Sequence, residues 1–223
     1  MTQEQWVAVD QYITDLFVPS DPALEETLQS TIDAGLPRIN VAPNQGKLLH
    51  ILARSHGARR ILELGTLAGY STIWLARALP SDGTLITLEA NPKHAKVAQA
   101  NIDRAGLTKQ VEIRVGAALE TLPQLAAEGQ EPFDLVFIDA DKVNTAEYFS
   151  WALKLTRRGS VIITDNVVRQ GGVIDANSTD ENIQGIRRFN AALALEPRVK
   201  ATIVQTVGSK GYDGLAIALV VGD

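Results

Sequence analysis

The sequence predicts an α/β fold built on a doubly wound seven-stranded sheet, mostly parallel with an antiparallel last strand, plus an N-terminal helical extension. Three observations carry this reading. From Arg59 onward, short apolar runs alternate with helix-period segments, the pattern of a parallel sheet covered on both faces. The last two strand candidates, Ala201–Val207 and Leu215–Val221, are separated by only about seven residues, whereas a parallel crossover needs a dozen or more. They therefore form a hairpin. Before Arg59 the texture is helical throughout.

In the helical extension, Trp6, Val9, Ile13 and Leu16 recur at helical spacing until Pro19 ends the pattern. Leu24, Leu28 and Ile32 form a second stripe, closed by Gly35 and Pro37. A third helix is expected from Asn44 to about Ser55, burying Leu48, Leu49 and Leu52. The remaining strands are expected at Arg60–Leu64, Thr84–Glu89, Val111–Val115, Leu135–Asp139 and Val161–Thr164. A helix over Asn91–Ala105 places Ala98, Ile102 and Ala105 on one face. Ser81-Asp82-Gly83 and Ser209-Lys210-Gly211 read as turns. With no linker, repeat or low-complexity tract, the 223 residues are expected to form one domain, residues 1–56 as the extension and 57–223 as the core.

Composition narrows the chemistry. The chain has no cysteine, which excludes disulfides, thiolate nucleophiles and cysteine-ligated zinc. The three histidines, His50, His56 and His94, include no pair at the helical spacing of a zinc site. A net charge of −5 argues against sequence-independent binding of a polyanion. No apolar run approaches the length of a membrane span, and no signal peptide is visible, so a cytoplasmic protein is expected.

Two groups of residues propose a site. Ile61-Leu62-Glu63-Leu64-Gly65-Thr66-Leu67-Ala68-Gly69-Tyr70-Ser71 reads as a strand, a glycine turn and a helix start. Gly65 lets a ligand approach the backbone, and Gly69 is expected to permit close packing of helix on strand. The dinucleotide fingerprint and the P-loop pattern are both absent. Glu89 ends the second strand, where a carboxylate can accept both hydroxyls of a ribose, and the small residues Gly116-Ala117-Ala118 leave room for a base. A nucleoside without a polyphosphate fits this turn. The second group is Phe137-Ile138-Asp139-Ala140-Asp141-Lys142 with Thr164-Asp165-Asn166. Asp139, Asp165 and Asn166 offer oxygen donors suited to a hard cation such as Mg²⁺. Lys142 beside them can serve as a base, because a nearby dication disfavours an ammonium. Taken singly, each residue has a plainer reading: Asp141 as a cap for the next helix, Ser71 as a first-turn residue, Lys142 as a surface lysine.

With these motifs in order, the chain resembles the metal-dependent class I O-methyltransferases of the caffeoyl-CoA and catechol type, including bacterial members. The matching segments are Glu63–Ser71, Gly116–Leu119, Phe137–Lys142, Thr164–Val167 and Tyr212–Leu215. The resemblance implies a Rossmann-like sheet and S-adenosyl-L-methionine as cofactor. Glu63, Gly65 and Ser71 would lie along its methionine and sugar, Glu89 on the ribose, Ala118 beside the adenine and Val41 nearby. Asp139 would serve the cofactor, the metal and catalysis. Asp139, Asp165 and Asn166 match the family's metal ligands, for Mg²⁺ first and Mn²⁺ or Ca²⁺ otherwise, and Lys142 its catalytic lysine. A homodimer acting on a small aromatic diol or phenolic acceptor is implied. Thr145 and Arg169 depart from the family's common tyrosine and tryptophan, and Ser160 from a glycine. Arg169 and Gln170 thus leave the acceptor open, an arginine there suiting an acidic one. The rivals are a tRNA hydroxyuridine O-methyltransferase, an NAD-dependent oxidoreductase and a non-catalytic binding protein.

Overall fold

The computed structural model describes residues 2–222. Its seven strands form one sheet of order β3-β2-β1-β4-β5-β7-β6. They are β1 Arg60–Leu64, β2 Thr84–Glu89, β3 Val111–Val115, β4 Phe133–Ile138, β5 Thr156–Asp165, β6 Val199–Gly208 and β7 Gly211–Val220. β1 pairs parallel with β2, β2 with β3, and β4 with β5, while β7 runs antiparallel to β5. The helices are α1 Gln3–Phe17, α2 Pro22–Asp33, α3 Pro43–His56, α4 Tyr70–Ala76, α5 Pro92–Arg104, α6 Ala118–Ala127, α7 Thr145–Lys154 and α8 Glu181–Leu195. The predicted class and the antiparallel last strand are both observed.

The described chain comprises two compact units. One is Met1–Ala117 with Gly208–Lys210, and the other Ala118–Val207 with Gly211–Asp223. In the first, Ile61, Leu62, Leu64, Leu85 and Leu88 are buried in the sheet, with Leu49, Ala53, Ile73, Leu75, Ala98 and Ile102 among the buried helical residues. In the second, β4 is buried along its whole length, and Phe149 of α7 meets Phe189 of α8 edge-to-face with ring centroids 5.6 Å apart.

Several sequence expectations are corrected. α1 forms, but its apolar stripe does not become core: Val9 and Leu16 are exposed, and its buried residue is Asp10. Asp10 accepts from Asn44 Nδ2 at 2.9 Å and from the Ser209 backbone N–H at 2.6 Å. These bonds turn a polar face inward. α2 buries Leu24, Thr27 and Thr31, and Ile32 is exposed; the threonine hydroxyls bond back to carbonyls one turn earlier, which lets them face the interior. α3 buries Leu49 and Ala53 but leaves Leu48 exposed. β5 starts at Thr156 rather than Val161, because its first residues, Arg157-Arg158-Gly159, are exposed and carry no apolar signal. The last hairpin turns on Ser209-Lys210 alone, so Tyr212-Asp213-Gly214 lies within β7 rather than in the turn. Gly69 lies closest to α5 at its side-chain position. It adopts φ +87 ahead of α4 and its missing side chain would meet Ala98 of α5 at an ordinary 3.5 Å, so left-handed backbone is what selects glycine.

Candidate active site

In the first unit, the turn after β1 winds through the left-handed region at Gly65 (φ 96), Leu67 (φ 51) and Gly69 (φ 87). Leu67 is unfavourable there without outside support. Glu89 at the end of β2 supplies it: Oε2 accepts from the backbone N–H of Leu67 at 2.8 Å and of Thr66 at 3.2 Å. Its Oε1 accepts from Asn91 N–H at 2.9 Å and lies 3.4 Å from His94 Nδ1. One carboxylate thus fixes the glycine turn to the start of α5. Asn101, fully buried, adds a bond from Nδ2 to the Ala68 carbonyl at 2.9 Å. Neither the Asn101 bond nor the approach of His94 to Glu89 carries a local signal in the sequence.

Glu63 is fully buried. Its carboxylate accepts from Ser71 Oγ at 2.6 Å, from Thr87 Oγ1 at 2.7 Å and from Thr72 Oγ1. Ser71 is therefore joined to Glu63 directly. A buried carboxylate is tolerated when hydrogen bonds replace its water. Glu63→Ala is expected to destabilise the fold by about 3 kcal/mol, because buried hydroxyls lose their acceptor and a void remains. Denaturant unfolding measures this, and a loss below about 0.5 kcal/mol, the range of an indifferent surface change, would contradict it. Val41 is buried just before α3.

In the second unit, Ala118 opens α6. The register of β4 and β5 pairs Ile138 with Thr164. Asp139 and Asp165 are thus the next residues on two neighbouring parallel strands, at their carboxyl ends. Lys142 Nζ donates to Asp139 Oδ1 at 2.7 Å, with the lysine side chain only 12% exposed. Asp165 is buried, its Oδ1 accepting from Asn166 N–H at 2.8 Å, and Asn166 takes φ 60, a conformation asparagine tolerates better than most residues. Among the described residues, no three His, Cys, Asp or Glu side chains gather as a metal-binding group. The set here has two carboxylates and an amide, and its all-oxygen chemistry suits a hard cation.

The loop carrying Lys142 is braced. Asp141 Oδ1 accepts from Asn144 N–H at 3.2 Å and Nδ2 at 2.7 Å, and Oδ2 from Tyr148. Burial and then the bond to Asp141 push the Tyr148 hydroxyl's pKa far up, so it stays a donor. Thr145 Oγ1 donates to the Lys142 carbonyl at 3.2 Å. A side chain at Gly185 of α8 would come within 2.2 Å of that same carbonyl oxygen, so glycine there lets α8 touch the lysine's backbone. Arg188 Nη2 donates to the Val143 carbonyl at 2.9 Å. Sequence patterns gave no sign of Gly185 or Arg188, whose role comes from tertiary contact alone.

Residues 15–219 match the O-methyltransferase family. A catechol O-methyltransferase from Niastella koreensis is 58% identical over 99% of this chain and 100% of its own. The crystal structure of an O-methyltransferase from Bacillus cereus in complex with SAH superposes with a TM-score of 0.97 at 58% identity, covering 98% of this chain and 100% of that one. The O-methyltransferase TomG from Streptomyces achromogenes, solved in complex with SAM, gives a TM-score of 0.96 at 51% identity over 100% of both chains. The strand order, the braced glycine turn and these matches lead to one conclusion: the chain belongs to the O-methyltransferase family.

Proposed function

We propose that this chain transfers a methyl group from S-adenosylmethionine to a hydroxyl of a small catechol-like or phenolic acceptor, with a divalent cation held by Asp139, Asp165 and Asn166. The β4–β5 register, which sets Asp139 beside Asp165 with Lys142 Nζ 2.7 Å from Asp139, is the observation that carries this reading. The names of the relatives support both the cofactor and the acceptor class.

In this reading Glu63, Gly65, Ser71, Glu89, Ala118, Asp139 and Val41 serve the cofactor. The fit rests on the Glu89 carboxylate at the end of β2 and on a glycine turn that lacks the third glycine a pyrophosphate needs. Bound S-adenosylmethionine supplies a methyl group on a sulfonium, and the acceptor oxygen replaces sulfur as that carbon's partner. A bound divalent cation supplies Lewis acidity that makes an acceptor hydroxyl more acidic. Lys142 takes the proton at Nζ, and Asp139 Oδ1 orients that nitrogen. Asp141, Thr145 and Gly185 hold the lysine's backbone in place, which matters because a displacement of about 1 Å can cost 10²-fold in rate.

A tRNA acceptor is the weaker reading. Arg157 and Arg158 sit at the start of β5 and Arg169 lies beyond its far end. Ten residues of strand separate these by about 30 Å, so they make no single basic patch. Arg157 is also paired with Asp134 at 2.5 Å.

A single methyltransferase domain, a homodimer and a cytoplasmic location belong to the same proposal. The family match over residues 15–219 supports the first. For the second, exposed Val7, Val9, Tyr12, Leu16 and Phe17 give α1 apolar surface that a second copy can cover. No helix among the described residues is long and apolar enough to cross a membrane.

The test offers methyl-labelled S-adenosylmethionine to catechol, phenolic acids, their CoA esters and bulk tRNA. Label is expected in a small diol and not in tRNA. Label in tRNA alone would overturn the acceptor class.

A further inference from the structure

We infer that Arg169 forms an oxyanion subsite, so that the acceptors this chain prefers carry a carboxylate or phosphate as well as the reacting hydroxyl. This rests on the proposed function and narrows its substrate class. Arg169 begins a left-handed run, with φ 52, followed by Gln170 at φ 55 and Gly171 at φ 86. Two successive non-glycine residues in that region persist only where the surroundings impose them, and such strain gathers at ligand clamps. Here Asp213 pins the start of the run. Its Oδ1 accepts from the backbone N–H of Val168, Arg169 and Gly214, each at 2.9 Å. Val167 N–H also donates to the Gly214 carbonyl at 3.1 Å, one residue from Leu215, the register partner of Asp165. Arg169 is thus fixed at the strand end that carries Asp165 and Asn166.

Its guanidinium is held, among the described residues, only by a long ion pair with Asp213. Among the described residues it donates no hydrogen bond: Nη1 comes no closer than 3.9 Å to Asp213 Oδ2, and Nε is buried without an acceptor. The side chain is 32% exposed, so a ligand can reach it. Asp213 Oδ1 is occupied with three backbone N–H groups, and Oδ2 meets Arg169 only at 3.9 Å. Asp180, the other carboxylate that senses Arg169, uses Oδ1 to cap α8 through Asn182 N–H at 2.8 Å and Ile183 N–H. Arg187 Nη1 donates to the Val173 carbonyl. The exposed edge of this guanidinium, free of hydrogen bonds, suits a carboxylate or phosphate, which can accept two parallel bonds.

The test compares kcat/KM for protocatechuate, caffeoyl-CoA and neutral catechol in wild-type and Arg169→Gln protein, with S-adenosylmethionine and Mg²⁺ present. The ratio of anionic to neutral acceptor is expected to fall about 10- to 100-fold in at least one arm, the loss of a charge-assisted hydrogen bond. A fall with protocatechuate identifies a carboxylate, and one with caffeoyl-CoA a phosphate. Arg169→Lys, which keeps charge but not the fork, is expected to lie between. On wild-type protein alone, salt is expected to raise KM for the anionic acceptor more than for catechol. Unchanged ratios in both arms, or equal salt effects, would overturn the subsite. If none of these acceptors is methylated, the proposed function fails instead, and calorimetric binding of protocatechuate to the two proteins decides the subsite by the same ratio.

Discussion

Lys142→Ala is expected to lower turnover by about 10²- to 10⁴-fold, the usual contribution of a positioned acid–base group. S-adenosylmethionine affinity, read by calorimetry, is expected to stay nearly intact, because the residues assigned to the cofactor's ribose and methionine lie on β1, β2 and α4 and in the turn after β1. The lysine has two conceivable roles, as a positive charge and as a proton acceptor. Lys142→Arg separates them. It keeps the charge near Asp139 but cannot give up its proton in a protein. If Nζ accepts the hydroxyl proton, the arginine variant is as slow as the alanine variant. If only charge matters, arginine rescues. Equal loss of turnover and cofactor affinity in Lys142→Ala would contradict the assignment altogether. The bracing of this loop by Asp141, Thr145 and Gly185 means the variants should change the chemistry without unfolding the segment.

The parts of this molecule legible in sequence were those with a local period or a fixed spacing. β1 and β2 carry short apolar runs and β3 an alternating one, and their predicted bounds match the structure residue for residue. The antiparallel β7 followed from loop length alone. The failures share a cause. α1 has a regular apolar stripe, but periodicity says only that a face is apolar and not what covers it; Val9 and Leu16 end exposed while Asp10 turns inward to Asn44 and Ser209. The start of β5 was invisible because Arg157-Arg158-Gly159 is exposed and carries no apolar signal.

The site divides the same way. Asp139, Lys142, Asp165 and Asn166 stand at or just past strand ends, where spacing alone marks them, and the register pairs Ile138 with Thr164, the residues just before Asp139 and Asp165. What sequence could not give is the support around them. Asp213 reaches back to Val168 and Arg169 across 45 and 44 residues, and Gly185 meets Lys142 across a helix packing. Such contacts have no one-dimensional signature. Glu63 and Glu89 illustrate a further limit: the sequence placed them at the correct strand ends, but only the structure reveals that both carboxylates already organise protein hydroxyls and backbone N–H groups.

Metal removal tests the account most directly, because Asp139, Asp165 and Asn166 are proposed to hold the cation and Lys142 to act as the base beside it. Two carboxylates and an amide leave coordination positions for water or acceptor oxygens, as a Mg²⁺ site usually does. The measurement is methyl transfer from labelled S-adenosylmethionine to a catechol acceptor by chelator-treated enzyme, followed by titration with Mg²⁺ or Mn²⁺. The expected result is loss of transfer on chelation and its return with added metal. Full activity in metal-free enzyme would contradict the proposed ligand set.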